Sequence, residues 1–224
     1  MSPRVIELIL RTFFFIVSAI YLYVVFMGID ILKPFLISLP VIFLGTLYVL
    51  KVKKKDILVV IAFVLTILGS VFSTFKEFYL LAVVLFFIEH LLFIKLIISY
   101  IKPKERGLLP LYILLFLAFF ILLFLMIYGE AERDIGYIVV LVYGFTAFSL
   151  GALAFANFLY KMNKANFLLL LGFFMSIASD SVYAIDLLDE KKSYYLFLAE
   201  LLYWFSYYVI YTGFTDKNKK AIKQ

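Results

Sequence analysis

The chain has 224 residues, of which 66% are hydrophobic, 20% aromatic and only 16% charged, with a formal net charge of +6; its mean hydropathy is +1.10. An ordinary soluble domain is about 45–50% apolar and about 25% charged, so this composition needs lipid as its solvent and excludes a soluble enzyme, a disordered chain and a collagen-like fibre. Cysteine is absent and His90 is the single histidine, which excludes disulfide scaffolds, thiolate chemistry and any multi-histidine metal site; no metal or organic cofactor is expected.

A helix needs roughly 20 apolar residues to cross a hydrocarbon core about 30 Å thick. The chain offers eight such stretches, at about 6–27, 33–50, 57–74, 78–100, 108–128, 136–159, 166–186 and 193–213. The expected fold is therefore an all-α integral membrane bundle, a single domain over 1–224 that ends in a short basic tail at 214–224. The first stretch reads as a span and not as a cleavable signal, because no small-residue cleavage site follows it before Asp30. Span 2 opens on Lys33-Pro34, and proline suits the first position of a helix. Lys33 is either an interfacial anchor or a contact for a lipid phosphate. Span 3 carries Ser70, and span 4 carries Glu89, His90 and Lys95. Lys95 lies near a span end, where it can snorkel to the interface. Within span 5 the run 113–127 is apolar on all sides, unlike a barrel strand, which would alternate.

Spans 7 and 8 hold the most telling polar residues. An ionisable group at membrane depth is costly and usually faces the bundle interior or a watery cavity. Asp180 sits in Ser179-Asp180-Ser181, with Ser176 and Tyr183 on the same helical face. It is either a carboxyl that fixes helix packing or one that exchanges a proton with a ligand. Glu200 heads a stripe of Trp204, Tyr207 or Tyr208, and Tyr211, which serves equally as a packing seam or a cavity wall. Glu89 and His90 are about 100° apart on their helix, so both cannot point straight into one pocket.

Charge placement supports an even number of crossings. With the N-terminus in the cytoplasm, fifteen basic residues fall on that side: Arg4, Arg11, Lys51, Lys53, Lys54, Lys55, Lys102, Lys104, Arg106, Lys161, Lys164, Lys217, Lys219, Lys220 and Lys223. Five fall opposite, Lys33, Lys76, Arg133, Lys191 and Lys192, beside the acids Asp30, Glu77, Glu130, Glu132, Asp134, Asp186, Asp189 and Glu190. This is the positive-inside signature of a protein with both termini cytoplasmic, expected in the cell (inner) membrane. The basic residues are scattered over loops, so no nucleic-acid partner is expected. The two halves also align at an offset of 110, with Lys51 and Lys54 on Lys161 and Lys164, Ser70 on Asp180 and His90 on Glu200. Two parallel four-helix repeats around one central cavity would follow.

The chain also carries Lys33-Pro34, the segment 65–72, His90, Leu171-Gly172-Phe173-Phe174 through Ser179-Asp180, and the aromatic segment 203–210. In their order and span positions these resemble the YhhN-like lysoplasmalogenase family of eight-span membrane proteins, over nearly the whole chain. The resemblance implies hydrolysis of the vinyl ether of a lysophospholipid, with release of a fatty aldehyde. It further implies that one family aspartate falls on Asp180 and the other on Ser70, and that a family glutamine falls near Tyr207. On this expectation Asp180 is the acid and base, with His90 or Glu89 assisting, since serine has no carboxyl to offer. Lys33 would contact the phosphate, and Ser70, Ser179, Tyr183, Glu200 and Tyr207 would bind substrate. The expected partner is a lysophospholipid or another membrane lipid. The serine at position 70 keeps open an alternative from another class, a non-catalytic lipid-binding or transport protein on the same scaffold.

Overall fold

The computed structural model describes residues 3–128, 135–188 and 193–220. Glu130, Glu132, Arg133, Asp134, Asp189, Glu190, Lys191, Lys192 and Lys223 lie outside the described residues, as do the side chains of Asp186, Lys219 and Lys220. The regular structure is helical: α1 (Pro3–Phe26), α2 (Lys33–Leu36), α3 (Leu39–Lys51), α4 (Ile57–Ser73), α5 (Tyr79–Tyr100), α6 (Leu109–Tyr128), α7 (Ile135–Tyr160), α8 (Lys164–Leu188) and α9 (Ser193–Lys220). Among the described residues, six segments are long and apolar enough to cross a membrane, namely Arg4–Phe26, Asp30–Lys51, Lys76–Tyr100, Pro103–Met126, Tyr137–Tyr160 and Lys164–Ile185; Ile57–Ser73 is apolar but shorter. The tyrosines and Glu200 of α9 dilute its hydropathy, and it is not among the six. The chain thus has the helical, apolar build of a multi-pass membrane protein.

Two elements depart from the expected spans. Span 2 is not one helix: it breaks at Ile37 and Ser38 between α2 and α3, just ahead of Pro40. Proline has no N–H to donate and its ring crowds the preceding turn. The last helix also runs past 213, into the residues expected as a short basic tail. Its cause is visible in the contacts of α9: Phe214 and Thr215 are buried, and the Lys217 amine donates to Asn166 Oδ1 at 2.7 Å while standing 3.7 Å over the Tyr100 ring. Asn218 donates to the Tyr48 hydroxyl at 2.7 Å, and that same oxygen accepts the backbone N–H of Asp56 at 3.1 Å. Asp56 in turn caps α4 by accepting from the Leu58 N–H at 3.0 Å.

Helix α1 ends at Gly28, whose φ of +68° is a left-handed conformation open to glycine. There Ile29 N–H reaches back to the Val24 carbonyl at 3.0 Å and Gly28 N–H to Val25 at 3.1 Å, satisfying two carbonyls that would otherwise be orphaned. The most extensive contact in the bundle is between α8 and α9, with α4 on α5 the next most extensive. At Gly172 the α8 backbone comes so close that an added Cβ would stand 3.1 Å from the Ile210 nitrogen and 2.6 Å from its Cγ1. Lipid gives two helices no hydrophobic reason to associate, so close approach over small residues is how they gain contact. Phe93 of α5 packs between Phe173 of α8 and Phe214 of α9, with ring centres 5.3 and 5.6 Å away. Outward-facing residues such as Leu114, Leu122 and Met126 stay exposed, as a lipid-facing surface requires.

Candidate functional site

A cavity of about 470 Å³ opens at the end of the bundle where α1 hands over to α2 and α4 to α5. Asp30, Lys33 and Lys76 stand around it, with Lys33 Nζ 2.7 Å from Asp30 Oδ1. Its walls come from most of the bundle: Tyr21 of α1, Ser70 of α4, Phe86 of α5, Tyr143 of α7, Ser179, Asp180 and Tyr183 of α8, and Glu200 and Tyr203 of α9. A space of this size, lined by both polar and aromatic side chains, matches the usual dimensions of a small-ligand pocket.

Two of the carboxyls on the wall, Asp180 and Glu200, are each held by a tyrosine. The Tyr143 hydroxyl donates to Asp180 Oδ2 at 3.0 Å, and the Tyr21 hydroxyl donates to Glu200 Oε1 at 3.1 Å. The ring of Tyr21 packs edge-on against Trp204 with centres 5.7 Å apart, which fixes its direction. Ser70 and Tyr203 share a hydrogen bond of 2.8 Å. Ser179, one residue before Asp180, donates from Oγ to the carbonyl oxygen of Ala199, one residue before Glu200, at 2.7 Å.

Asp180 and Tyr143 also line a second, smaller hollow of about 60 Å³ whose remaining walls include Phe120, Leu123, Phe124, Gly144, Phe148 and Ile177. The Asp180 carboxyl therefore stands where the larger cavity meets a smaller, more apolar slot.

Of the residues singled out from sequence, the cavity brings together Lys33, Ser70, Ser179, Asp180, Tyr183 and Glu200. Glu89, His90 and Tyr207 are not on its wall. Glu89 is fully buried behind it, where Oε1 accepts from the Tyr207 hydroxyl at 2.7 Å and lies 2.8 Å from the Thr66 hydroxyl. Its Oε2 is buried without a hydrogen bond, 3.8 Å from His90 Nδ1. His90 Nδ1 lies 2.8 Å from the Phe86 carbonyl oxygen. A carbonyl can only accept, so Nδ1 carries the proton. The His90 ring packs edge-on to Tyr143 at 5.1 Å. His90 thus touches two residues of the cavity wall, Phe86 and the tyrosine that holds Asp180. The sequence does not single out Tyr21 and Tyr143, and marks Tyr203 only as the start of an aromatic segment, because a tyrosine among 17 in an aromatic-rich chain carries no signal until its hydroxyl has a partner. Among the described residues, no three His, Asp or Glu side chains gather as metal ligands.

No curated protein and no solved structure matches the chain. The YhhN family profile matches residues 29–214, from the turn before α2 to the buried Phe214 of α9. That range holds every residue named on the cavity wall except Tyr21, and with most of its length so matched, the chain belongs to the YhhN family.

Proposed function

We propose that the protein is a lysoplasmalogenase-like hydrolase, which cleaves the vinyl ether of a lysophospholipid to release a fatty aldehyde. Membership of the YhhN family, which includes lysoplasmalogenases, supports this reading. The observation that carries it is the place of Asp180, where a head-group-sized cavity with Lys33 and Lys76 beside it meets an aromatic slot. A lysolipid is divided in the same way. Its phosphate would lie near the two lysines, its glycerol against Ser70, Ser179 and Tyr183, and the start of its hydrocarbon chain in the slot. The bond between glycerol oxygen and vinyl carbon then falls beside Asp180. Asp180 would protonate the vinyl carbon, creating an oxocarbenium ion that water attacks. The hydroxyl of Tyr143 holds the carboxyl in place for that transfer. In this reading the chain crosses the membrane eight times with both termini cytoplasmic, α4 and α9 supplying the seventh and eighth crossings.

The test is aldehyde release from 1-alkenyl lysophosphatidylethanolamine by the purified chain in lipid nanodiscs. Wild-type protein is expected to release aldehyde, and Asp180→Asn to lower the rate at least about 100-fold, the usual scale of a lost general acid, while still binding the lipid. Absence of aldehyde from wild-type protein across the accessible pH range overturns the reading. A second reading, a lipid carrier without catalysis, is favoured by Ser70, where the family resemblance implies an aspartate. It predicts lipid binding with no aldehyde, unaltered by Asp180→Asn.

A further inference from the structure

Vinyl ether hydrolysis needs two proton positions. One group gives a proton to carbon, and a second must take a proton from the attacking water and return it to the departing glycerol oxygen. Asp180 serves the first. Ser70, on the same wall, has no carboxyl for the second. Asp30 is engaged with Lys33 at 2.7 Å, and Glu89 is sealed behind the wall at 0% exposure. With Asp30 held by Lys33, Glu200 is the remaining carboxylate on the cavity wall beside Asp180. The Ser179–Ala199 hydrogen bond ties together the residues immediately before these two. Tyr21 occupies Oε1 of Glu200, and Oε2 accepts no hydrogen bond from the described residues.

Resting on the function proposed above, we infer that Glu200 is the second catalytic carboxyl, the base that activates water. Asp180 gives its proton to the vinyl carbon distal to oxygen, and the remaining carbon becomes an oxocarbenium centre. Water adds there, its proton passing to Glu200, and a hemiacetal forms. Asp180, now a carboxylate, takes the hemiacetal hydroxyl proton while Glu200 returns its own to the glycerol oxygen. The carbon–oxygen bond breaks, aldehyde and lysolipid head group leave, and both side chains regain their starting states. One water is consumed and no other reactant is needed.

The experiment measures aldehyde release from 1-alkenyl lysophosphatidylethanolamine by full-length protein carrying Glu200→Gln, Glu200→Ala or Tyr21→Phe. Glu200→Gln is expected to lower kcat by about 10²–10⁴-fold, the range of a lost general base, with KM within threefold of wild type. Sodium formate, small enough for the space vacated in Glu200→Ala, is expected to restore kcat at least about tenfold over sodium chloride. A wild-type kcat in Glu200→Gln, or a loss in Glu200→Ala that formate does not relieve, overturns the inference and leaves the hydrolase reading standing. Should both Glu200 variants fail to fold, Tyr21→Phe decides: a lowered kcat at unchanged KM supports the inference, and an unchanged kcat overturns it. Wild-type protein that releases no aldehyde overturns the function itself.

Discussion

Ser179 donates a hydrogen bond from its hydroxyl to the carbonyl oxygen of Ala199 at 2.7 Å, and both residues are buried. The bond pins the register of α8 on α9, and the next residue on each helix is a carboxylate on the cavity wall. Side-chain hydrogen bonds between membrane helices contribute about 0.6 kcal/mol on average. Ser179→Ala should therefore lower stability by about that amount, read as a small drop in thermal unfolding temperature in detergent. Ser179→Leu should cost more, because it removes the same bond and forces a bulkier side chain into a buried position against α9.

Tyr143 touches four features at once: the Asp180 carboxyl, the His90 ring and the two hollows. Removing its hydroxyl leaves the ring packing intact. As Asp180 gives up its proton it becomes a carboxylate, and a hydrogen bond to a charged group is worth about 1.5–3 kcal/mol, so Tyr143→Phe is expected to slow aldehyde release at least tenfold while the folded yield stays at the wild-type level. Steady-state kinetics beside a size-exclusion profile check this.

The two lysines beside the cavity offer charge and not chemistry. Lys33→Met and Lys76→Met should each raise KM for a phosphate-bearing lysolipid a few-fold with kcat unchanged, since uniform binding energy is what they supply. The difference from wild type should shrink as salt rises from 0.05 to about 0.5 M, where the screening length falls well below 10 Å. Kinetics at the two salt concentrations decide it.

At Gly172 the backbone of α8 lies directly against α9. A Cβ there would press on Ile210 at 2.6 Å and on backbone at 3.1 and 3.2 Å, and backbone cannot give way as a flexible side chain can. Overpacking of this kind typically costs about 1–3 kcal/mol. Gly172→Ala should lower the thermal unfolding temperature, and Gly172→Val should lower it further or prevent accumulation of the protein.

At the opposite end of the bundle, Lys217 bonds Asn166 at 2.7 Å and covers the Tyr100 ring, joining α9 to α8 and α5. Lys217→Ala strips both contacts and leaves the Asn166 amide oxygen without its partner. A loss of about 1–2 kcal/mol in stability is expected, with kcat for aldehyde release unchanged because the residue is remote from the cavity. Chemical denaturation and kinetics on the same preparation separate the two effects.

Much was legible before any coordinates. Mean hydropathy, helical runs such as 113–127 and the absence of cysteine dictate a helical membrane protein, and the short motifs around Lys33-Pro34 and Ser179-Asp180 carry a family likeness that the family profile also finds. These features are local or compositional, and a lipid solvent admits few ways of satisfying a backbone. Pro40 was equally visible, yet the break it causes between α2 and α3 was not expected, because a proline in a membrane helix can be accommodated by its neighbours. The helical tail beyond 213 was hidden for the same kind of reason: Lys217 and Asn218 look like loop residues until Asn166, Tyr100 and Tyr48 stand beside them.

By itself the sequence determined that the chain is an apolar helical bundle with a few polar residues at membrane depth, since hydropathy and helical period need no long-range contact to be read. Which of those polar residues share a space was decided only by tertiary structure. Adjacent residues Glu89 and His90 went behind the wall, while Asp180 and Glu200, twenty positions apart on two helices, came to one cavity. Helix register and rotation set that outcome, and they depend on small-residue contacts such as Gly172 against Ile210, which no single helix encodes.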